Sequence, residues 1–354
     1  MVLTRRAASA AKSIIRWLPN EILATIIQGL PVADLYAISL ASRLLRNIAT
    51  PFLYRCVHLS TSSKLRLLIR TMKQRTGASL SLHVRHFIPP DNDDNVNMQY
   101  KPSIVKELTT VLTQFSRLEA LDLFCTTAVD FSQLLEQARF PQLTVFQYTL
   151  GSEASSLVAS FLNRHKTLKV LSLLESQACD LHGPIHLPHL HTLNLPHNYY
   201  ASFVLDDVQL ESVTLMVYNP HFDFEPTWRV LGASPRLTTV EILCGVHHFD
   251  DAAELGNIAK HLPHIHTLSV GRPASGLEIL SLDDSNAIVL HLTKFSSLHS
   301  LDLDSQFNVT YFKGIEDEVR RWSGACKTLV EIAIAGDQWN WDKEKQDWVH
   351  SPRA

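Results

Sequence analysis

Cysteine is scarce in this sequence, and the few cysteines that occur lie far apart. The 354 residues include 5 Cys, and no Cys-x-x-Cys pair is present. An odd number of isolated cysteines argues against a disulfide framework and against a structural zinc site. The cysteine usage therefore favours a reducing, intracellular compartment, which is the cytoplasm, the nucleus or both.

A strong net charge and a long apolar run are also lacking. Lys and Arg total 32 and Asp and Glu total 35, which leaves a net charge of -3. Such a balance does not indicate a protein that as a whole binds nucleic acid or a membrane surface, and no apolar run is long enough to span a bilayer. Hydrophobic residues nevertheless make up 45% of the chain, so it can bury a core.

Glycine is limited to 12 residues, and the motifs of nucleotide-binding and hydrolytic enzymes are missing. The closest approach to a phosphate-binding loop is Gly271–Gly276, which is followed by Leu277 where that loop needs lysine. No G-x-S-x-G and no H-E-x-x-H occurs. The 18 His form local clusters near predicted strands without a consistent ligand set. We therefore predict no catalytic residue, no metal site, no cofactor and no enzymatic activity.

Helical periodicity begins at residue 17. Pro19 fits the first position of a helix, and apolar residues follow at i, i+1, i+4 and i+5 from Ile22 onward. Asp34 is suited to cap a second helix over Leu35–Leu40. A third helix is expected over Ser42–Ala49, ending before a proline. Three helices in so few residues rarely bury enough apolar surface alone, so they need a partner or a neighbouring domain.

These residues resemble an F-box. The resemblance rests on Leu18, Pro19, Glu21, Ile22, Leu23, Ile26, Leu30, Leu35 and Leu40, followed by Ser42, Arg43 and Arg46. The strand-like stretch 53–59 is similar to the segment after the F-box in many fungal proteins. One departure is Leu45, near where many F-boxes have tryptophan. The resemblance implies binding of the Skp-type adaptor of a cullin–RING ubiquitin ligase, with the nine residues from Leu18 to Leu40 as the adaptor-binding set.

A short sequence motif, L-x-x-L-x-L with conservative replacements, recurs in the rest of the chain, and we call each copy a phrase. Copies begin at Leu118, Leu143, Leu168, Leu190, Leu210, Leu237, Ile265, Leu298 and Leu329, at spacings of 20 to 33 residues. That period is typical of leucine-rich repeats. Each phrase predicts a strand of a parallel sheet. Each segment between two phrases predicts a return, which is the connection that leads to the next strand and covers the other side of the sheet. Helical returns are expected at Ser103–Phe115, Asp130–Ala138, Ala154–Asn163, Asp250–Leu262 and Ile315–Cys326.

The predicted fold is therefore α/β: a small three-helix F-box followed by an irregular leucine-rich-repeat solenoid with a curved parallel sheet. We expect four segments. Residues 1–16 form a flexible basic tail, although a transit peptide can have the same composition. Residues 17–59 form the F-box and 60–338 the solenoid, with an exposed insertion at 89–102. The Trp-rich residues 339–354 form either a cap on the last repeat or a partner site.

One face of the predicted sheet is free of cations. The residues on either side of the fourth phrase position point away from the core, and neither of the two resulting rows contains Lys or Arg. Phosphate-rich ligands need cations, so a neutral to acidic surface favours a protein partner with a basic segment. An equal alternative is that small residues merely suit a crowded sheet. The target-binding candidates are Asp122, Gln147, Asn194, Glu241 and Asp302.

The sequence thus predicts a non-catalytic substrate receptor of a ubiquitin ligase. The F-box would bind the Skp-type adaptor and, through it, the cullin, while the repeats would bind an unknown target protein. The alternative is a repeat scaffold for protein interactions, in which the helices only cap the solenoid and no adaptor binds.

Overall fold

The computed structural model describes most of the chain in fourteen ranges. They are 18–90, 101–124, 129–151, 155–175, 181, 183–196, 199–200, 203–204, 208–218, 223–245, 251–271, 282–303, 315–334 and 337–352. The predicted basic tail 1–16 and most of the predicted insertion 89–102 lie outside these residues. The chain forms two compact units: the first is Met1–Leu123 with Gln137–Leu143, and the second is Phe124–Glu136 with Thr144–Ala354.

The first unit begins with the three short helices that the periodicity predicts. They are α1 (Asn20–Gln28), α2 (Val32–Ala41) and α3 (Arg43–Leu53). Ser42 separates α2 from α3, and its hydroxyl accepts a hydrogen bond from the amide of Leu45 at 3.2 Å. This is the N-cap interaction that satisfies one of the free amides of a first helical turn.

Three details of these helices differ from the expectation. Pro19 lies in extended backbone just before α1, where its carbonyl accepts hydrogen bonds from the amides of Ile22 and Leu23. Asp34 lies within the first turn of α2 instead of capping it, because α2 already begins at Val32. Helix α3 continues through Pro51. A proline in the last turn removes one backbone hydrogen bond, and the packing of the residues after it offsets this loss.

In the rest of the first unit, the residues that the structure describes form three parallel strands and three helices. The elements are β1 (Cys56–His58), α4 (Ser62–Met72), α5 (Gly77–Ser81), β2 (His86–Ile88), α6 (Pro102–Leu112) and β3 (Ala120–Leu123). Strand β1 pairs with β2, and β2 pairs with β3, both in parallel. Parallel neighbours need crossover connections, which these helices provide.

The described residues of the second unit contain ten strands. They are β4 (Val145–Leu150), β5 (Val170–Glu175), β6 (Thr192–Pro196), β7 (Ser212–Val217), β8 (Thr239–Cys244), β9 (Thr267–Gly271), β10 (Ser300–Leu303), β11 (Glu331–Ile334), β12 (Asp337–Asp342) and β13 (Asp347–Pro352). From β4 to β11 each strand pairs in parallel with the next one in the chain. Every predicted phrase from Leu118 onward therefore contains a strand, as expected.

Helices accompany most of these strands. They are α7 (Ser132–Gln137), α8 (Ser155–Arg164), α9 (Glu225–Gly232), α10 (Asp251–His261), α11 (Leu282–Leu292) and α12 (Ile315–Ala325). The five helical returns that the sequence predicts are present, with ends shifted by a few residues. Helices α4, α5, α9 and α11 were not predicted. None of the helices in the described residues is long and apolar enough to cross a membrane.

The core lies between the strands and the helices of each unit. In the second unit the central phrase leucines Leu171, Leu193, Leu268 and Leu301 are completely buried. Leu171 faces Leu193 across neighbouring strands, and Leu268 faces Leu301. This alignment follows from a parallel register in which equivalent positions of successive repeats lie side by side.

The parallel sheet is not strongly curled, so the expectation of a curved sheet is corrected to that extent. Curvature in a repeat array arises because strands lie about 4.8 Å apart whereas packed helices lie about 8–10 Å apart. Between β5 and β6, and between β6 and β7, the described residues contain no α-helix. Where a return contains no helix, the spacing between repeats on the return side is closer to the spacing between strands. The sheet then has less reason to curl.

The Trp-rich tail forms an antiparallel hairpin. Strand β12 pairs with β11, and β13 pairs with β12. Trp339 and Trp348 are each only 5% exposed, and the indole Nε1 of Trp348 donates a hydrogen bond to Ser323 Oγ at 3.1 Å. Two of the three tail tryptophans are thus packed inward, as a cap on the last parallel strand requires.

Candidate functional site

The three N-terminal helices enclose a small core of their own. Ile27, Leu35 and Ala49 form its buried centre, and six further residues pack against it: Leu30, Ile38, Leu45, Ile48, Phe52 and Leu53. Leu45, where many F-boxes have tryptophan, thus contributes to this core. The guanidinium Nε of Arg46 donates a hydrogen bond to the carbonyl of Ser39 at 3.1 Å, which ties α3 to the end of α2.

The residues predicted to bind an adaptor divide into an inner and an outer group. Leu23 and Leu35 are buried, and Leu18 and Leu30 are half-buried. The other five are exposed: Pro19, Glu21, Ile22, Ile26 and Leu40. Leu23 and Leu35 face the interior, so their substitution would act first on folding and only indirectly on binding.

The exposed apolar residues form two stripes at helical spacing. On α1, Ile22 and Ile26 are 47% and 57% exposed. On α2, Val32, Tyr36 and Leu40 are 69%, 60% and 60% exposed. Residues four apart lie on one side of a helix, so each helix presents a continuous apolar stripe to solvent. We call these the α1 stripe and the α2 stripe.

Sequence reasoning missed part of these stripes. Val32 and Tyr36 were not among the predicted binding residues, and neither was Leu44, which is 37% exposed at the start of α3. The available signal was the i, i+4, i+8 spacing of Val32, Tyr36 and Leu40. Because α2 is apolar almost throughout, the sequence did not reveal which of its sides faces water.

A second candidate surface lies on the strands of the second unit. Gln147, Ser172, Asn194, Thr214, Glu241, Ser269, Asp302 and Ala333 stand side by side in the parallel register. We call this the polar row. The structure thereby brings together four of the five predicted target-binding residues. Asp122 lies on β3 in the first unit.

Hydrogen bonds within the polar row already satisfy several of its side chains. Asn194 Nδ2 donates to Ser172 Oγ at 2.9 Å, and Thr214 Oγ1 donates to Glu241 Oε2 at 2.9 Å. Asn194 Oδ1 is buried and accepts no hydrogen bond among the described residues. Glu241 is only half-buried. The row thus combines an organised hydrogen-bond network with a carboxylate that solvent can reach.

A third row on the same face was not predicted. Several strands continue beyond the phrase, and their additional outward positions lie side by side on neighbouring strands. Thr149 lies beside Leu174 on β4 and β5. From β6 to β9 the neighbours are, in order, Pro196, Met216, Leu243 and Gly271. We call this the apolar row. Leu243 is 42% exposed, and Tyr218, just after β7, is 48% exposed. One end of the strand face is therefore polar and acidic, and the other is apolar.

The histidine clusters remain without a metal-binding arrangement in the described residues, where no group of three or more His, Cys, Asp or Glu is suitably placed for a metal ion. His266 and His299 pack edge to face with ring centroids 5.1 Å apart. The pKa of His291 is lowered by burial and by the charge of Lys294. His247, His248 and the glycine loop after Gly271 lie outside the described residues.

Comparison with known proteins identifies the helical part. The sequence model of the F-box-like family matches residues 15–60, which include α1 to α3 and β1. No curated protein matches the chain significantly. F-box domains generally bind Skp-type adaptors and are typically found in non-catalytic proteins. The chain therefore contains an F-box-like domain at its N-terminal end.

Proposed function

We propose that this protein is a substrate-receptor subunit of an SCF-type cullin–RING ubiquitin ligase. The observation that carries the proposal is the presence, within an F-box-like domain, of two exposed apolar stripes that do not belong to the domain's own core. Ile22 and Ile26 on α1, and Tyr36 and Leu40 on α2, are each about half exposed or more. Contiguous apolar surface of this kind marks a protein-binding site.

The adaptor-binding face consists of the two stripes. Aromatic and large aliphatic side chains contribute most of the free energy at protein interfaces, and Tyr36 is the one aromatic residue of the α2 stripe. Pro19 and Glu21 lie exposed at the beginning of α1, at the border of this face. Leu30 and Leu35 support the face from inside, because Leu35 belongs to the helical core and Leu30 packs against it. Leu23 is also buried, on the inner side of α1.

The target protein binds the strand face of the second unit. Its polar row supplies hydrogen-bonding groups and the carboxylates of Glu241 and Asp302, and its apolar row supplies Leu243 with Tyr218 close by. Neither row contains a cation, so the face suits a polypeptide with an apolar side chain and a basic residue better than a phosphate backbone. The repeats act as a leucine-rich-repeat-like solenoid in this role.

No residue of the chain needs to carry out bond chemistry. A receptor that holds its target beside a charged ubiquitin-conjugating enzyme raises the effective concentration of the target's lysines. The rate gain then comes from proximity, and the two surfaces of this protein determine which lysines are presented.

The adaptor assignment is tested by pull-down with a matched pair of variants. Ile26→Ala together with Leu40→Ala removes one large side chain from each stripe. The expected result is a loss of adaptor affinity of about thirtyfold or more, since truncation of an interface anchor typically costs about 2 kcal/mol. The control is Leu290→Ala on α11, where the leucine is 61% exposed and lies outside the F-box-like domain.

Circular dichroism of each variant separates loss of binding from loss of folding. Because both substituted residues are exposed, the unfolding curves should change little. Unchanged adaptor binding by the double variant, or an equal loss in Leu290→Ala, would contradict the assignment. In that case a repeat scaffold without an adaptor becomes the better description.

A further inference from the structure

The charges of this chain are distributed very unevenly. No Asp or Glu occurs from Leu35 to Pro90, whereas nine cations do: Arg43, Arg46, Arg55, Lys64, Arg66, Arg70, Lys73, Arg75 and Arg85. All 35 acids of the chain therefore lie outside these 56 residues. The nearly neutral total conceals a strongly basic segment within the first unit.

Helix α4 presents the densest part of this segment to solvent. Its inner side is buried through Leu65, Leu68, Ile69 and Met72. Its outer side carries Lys64, Arg66, Leu67 and Arg70, followed by Lys73 at the end of the helix, and all five are exposed. Lys64, Leu67, Arg70 and Lys73 follow one another three residues apart, and Arg66 lies four residues before Arg70, so they share the outer side of the helix. We call them the basic strip.

Few acidic groups compensate the basic strip. Lys73 Nζ lies 3.0 Å from Glu107 Oε2, and Lys64 Nζ donates to Ser60 Oγ at 2.7 Å. Within the described part of the chain, neither Arg66 nor Arg70 has a carboxylate within ion-pair distance. Like charges four residues apart on a helix repel each other. Arg70 in the last turn interacts favourably with the helix dipole, but no carboxylate of the described residues offsets the repulsion between Arg66 and Arg70.

The pKa of His83 is also affected by positive charges of the first unit. The pKa of this imidazole is lowered, first by burial and then by the positive charges of Arg117 and Arg85. Arg85 in turn is held by Glu119, at 3.3 Å. Two acids of this unit, Glu107 and Glu119, are thus paired with Lys73 and Arg85 and not with Arg66 or Arg70.

Leu67 lies at the centre of the strip and is 60% exposed. An isolated exposed leucine is ordinary, but this one is bordered on the helix by Lys64 and Arg70, each three residues away. A phosphate backbone would neutralise the cations and leave Leu67 without an apolar contact. A membrane surface would need a free apolar helix face, whereas that of α4 is buried in the protein. A polypeptide can offer carboxylates to the cations and an apolar side chain to Leu67.

We propose that the basic strip on α4 binds an acidic segment of a partner protein, with an apolar side chain of that segment packed against Leu67. Carboxylates of the segment pair with Arg66 and Arg70, and the aliphatic stems of these arginines extend the apolar contact. The strip shares no residue with the adaptor-binding face or the strand face. It is a third interaction surface, opposite in charge to the one proposed for the target.

The test uses the full-length chain and a short fluorescent peptide of Asp and Glu with one central Leu. The expected result is saturable binding that weakens about tenfold or more in Arg66→Glu with Arg70→Glu, since two exposed attractions become repulsions. The control double variant, Lys327→Glu with Lys343→Glu, changes the net charge equally at exposed positions of the second unit. It should change the dissociation constant by less than about twofold.

Leu67→Ser separates the apolar contact from charge alone. It should weaken binding of the peptide with Leu and leave binding of the matched peptide with Ser in that position unchanged. Equal losses in both double variants, no effect of Leu67→Ser, or no binding of the peptide would overturn the proposal. Tighter, Arg66- and Arg70-dependent binding of an oligothymidine or of phosphatidylserine vesicles would overturn it in favour of nucleic acid or membrane.

Discussion

Gly77 makes the tightest backbone contact described for any glycine of the chain. It lies at the start of α5, and a Cβ atom placed on it would be 2.0 Å from the carbonyl oxygen of Met72 and 2.4 Å from the carbonyl carbon. Its amide donates to the carbonyl of Gln74 at 2.8 Å, so the turn cannot open without losing a hydrogen bond. The close return of the chain after α4 therefore depends on glycine.

We expect Gly77→Ala to destabilise the first unit by about 2 kcal/mol or more, because backbone atoms must move to admit the methyl group. The measurement is hydrogen exchange of peptides from residues 62–81, which should exchange faster in the variant. Gly324→Ala is the matched control. Gly324 lies inside α12 with no other atom within 4 Å of an added Cβ, so alanine should stabilise by about 0.5–1 kcal/mol. Equal protection in wild type and Gly77→Ala would refute the steric argument.

At the scale of single residues, the sequence predicted which positions of the first helix are apolar but not which face inward. Ile22, Leu23, Ile26 and Ile27 form a double stripe, and hydrophobicity alone does not distinguish its halves. The structure places Leu23 and Ile27 inside and the two others outside. The choice depends on where α2 and α3 pack, which is a property of the assembled domain. The apolar row was missed for a related reason, because it lies beyond the end of the recognised phrase.

Among the elements, α9 and α10 are joined by the carboxylate of Glu225, which lies beside Lys260 and His261 of α10. Oε1 of Glu225, the first residue of α9, lies 2.8 Å from Lys260 Nζ and 3.0 Å from His261 Nε2, both at the end of α10. Arg229, one turn later on α9, is 3.6 Å away. The hydrogen bond from Lys260, aided by His261, holds the pKa of Glu225 below its ordinary value of 4.5, against the opposite effect of burial.

This arrangement predicts a pH dependence of stability. Because the pKa of Glu225 is lower in the folded chain, its ionised form stabilises the fold above about pH 4.5, and that contribution is lost as the pH falls through the folded value. Urea unfolding should therefore show wild type more stable than Glu225→Gln near pH 7, with the difference shrinking below pH 4.5. Glu316→Gln, which removes the exposed pair with Arg320, should differ little from wild type at either pH. A difference that grows on acidification would contradict the assignment.

The elements themselves were largely predictable, since strands and amphipathic helices leave periodic signals. The helices that were not predicted give a shorter signal or lie outside the recognised phrases. Helix α9 is short, at 8 residues, and α4 lies before the first clear repeat. The reduced curl of the sheet was not predictable from the phrase, because it depends on the width of the returns. Short returns such as the one around Tyr199 and Tyr200 give no helical pattern.

For the whole molecule, separate surfaces predict separable partners. In affinity purification with ligase activity blocked, Ile26→Ala with Leu40→Ala should lose the adaptor and cullin and retain the target. Glu241→Lys with Leu243→Ser should retain the adaptor and cullin and lose the target, because the polar and apolar rows are altered together. Quantitative mass spectrometry of both purifications measures how much adaptor, cullin and target each variant retains. If the strand-face variant kept every associated protein, the target would bind elsewhere.

The C-terminal hairpin has a consequence for fragments of this chain. A parallel sheet that ended at β11 would present a row of unpaired amides and carbonyls to any passing strand. Strand β12 occupies that row in the antiparallel sense, from Glu331 opposite Asn340 to Ile334 opposite Asp337, and Trp339 and Trp348 bury the join. A protein cut after residue 336 would keep its repeats but expose the unpaired edge of β11, to which other strands can pair. We expect such fragments to self-associate in light-scattering measurements, and the chain that keeps the hairpin to do so much less, because β12 covers the edge of β11.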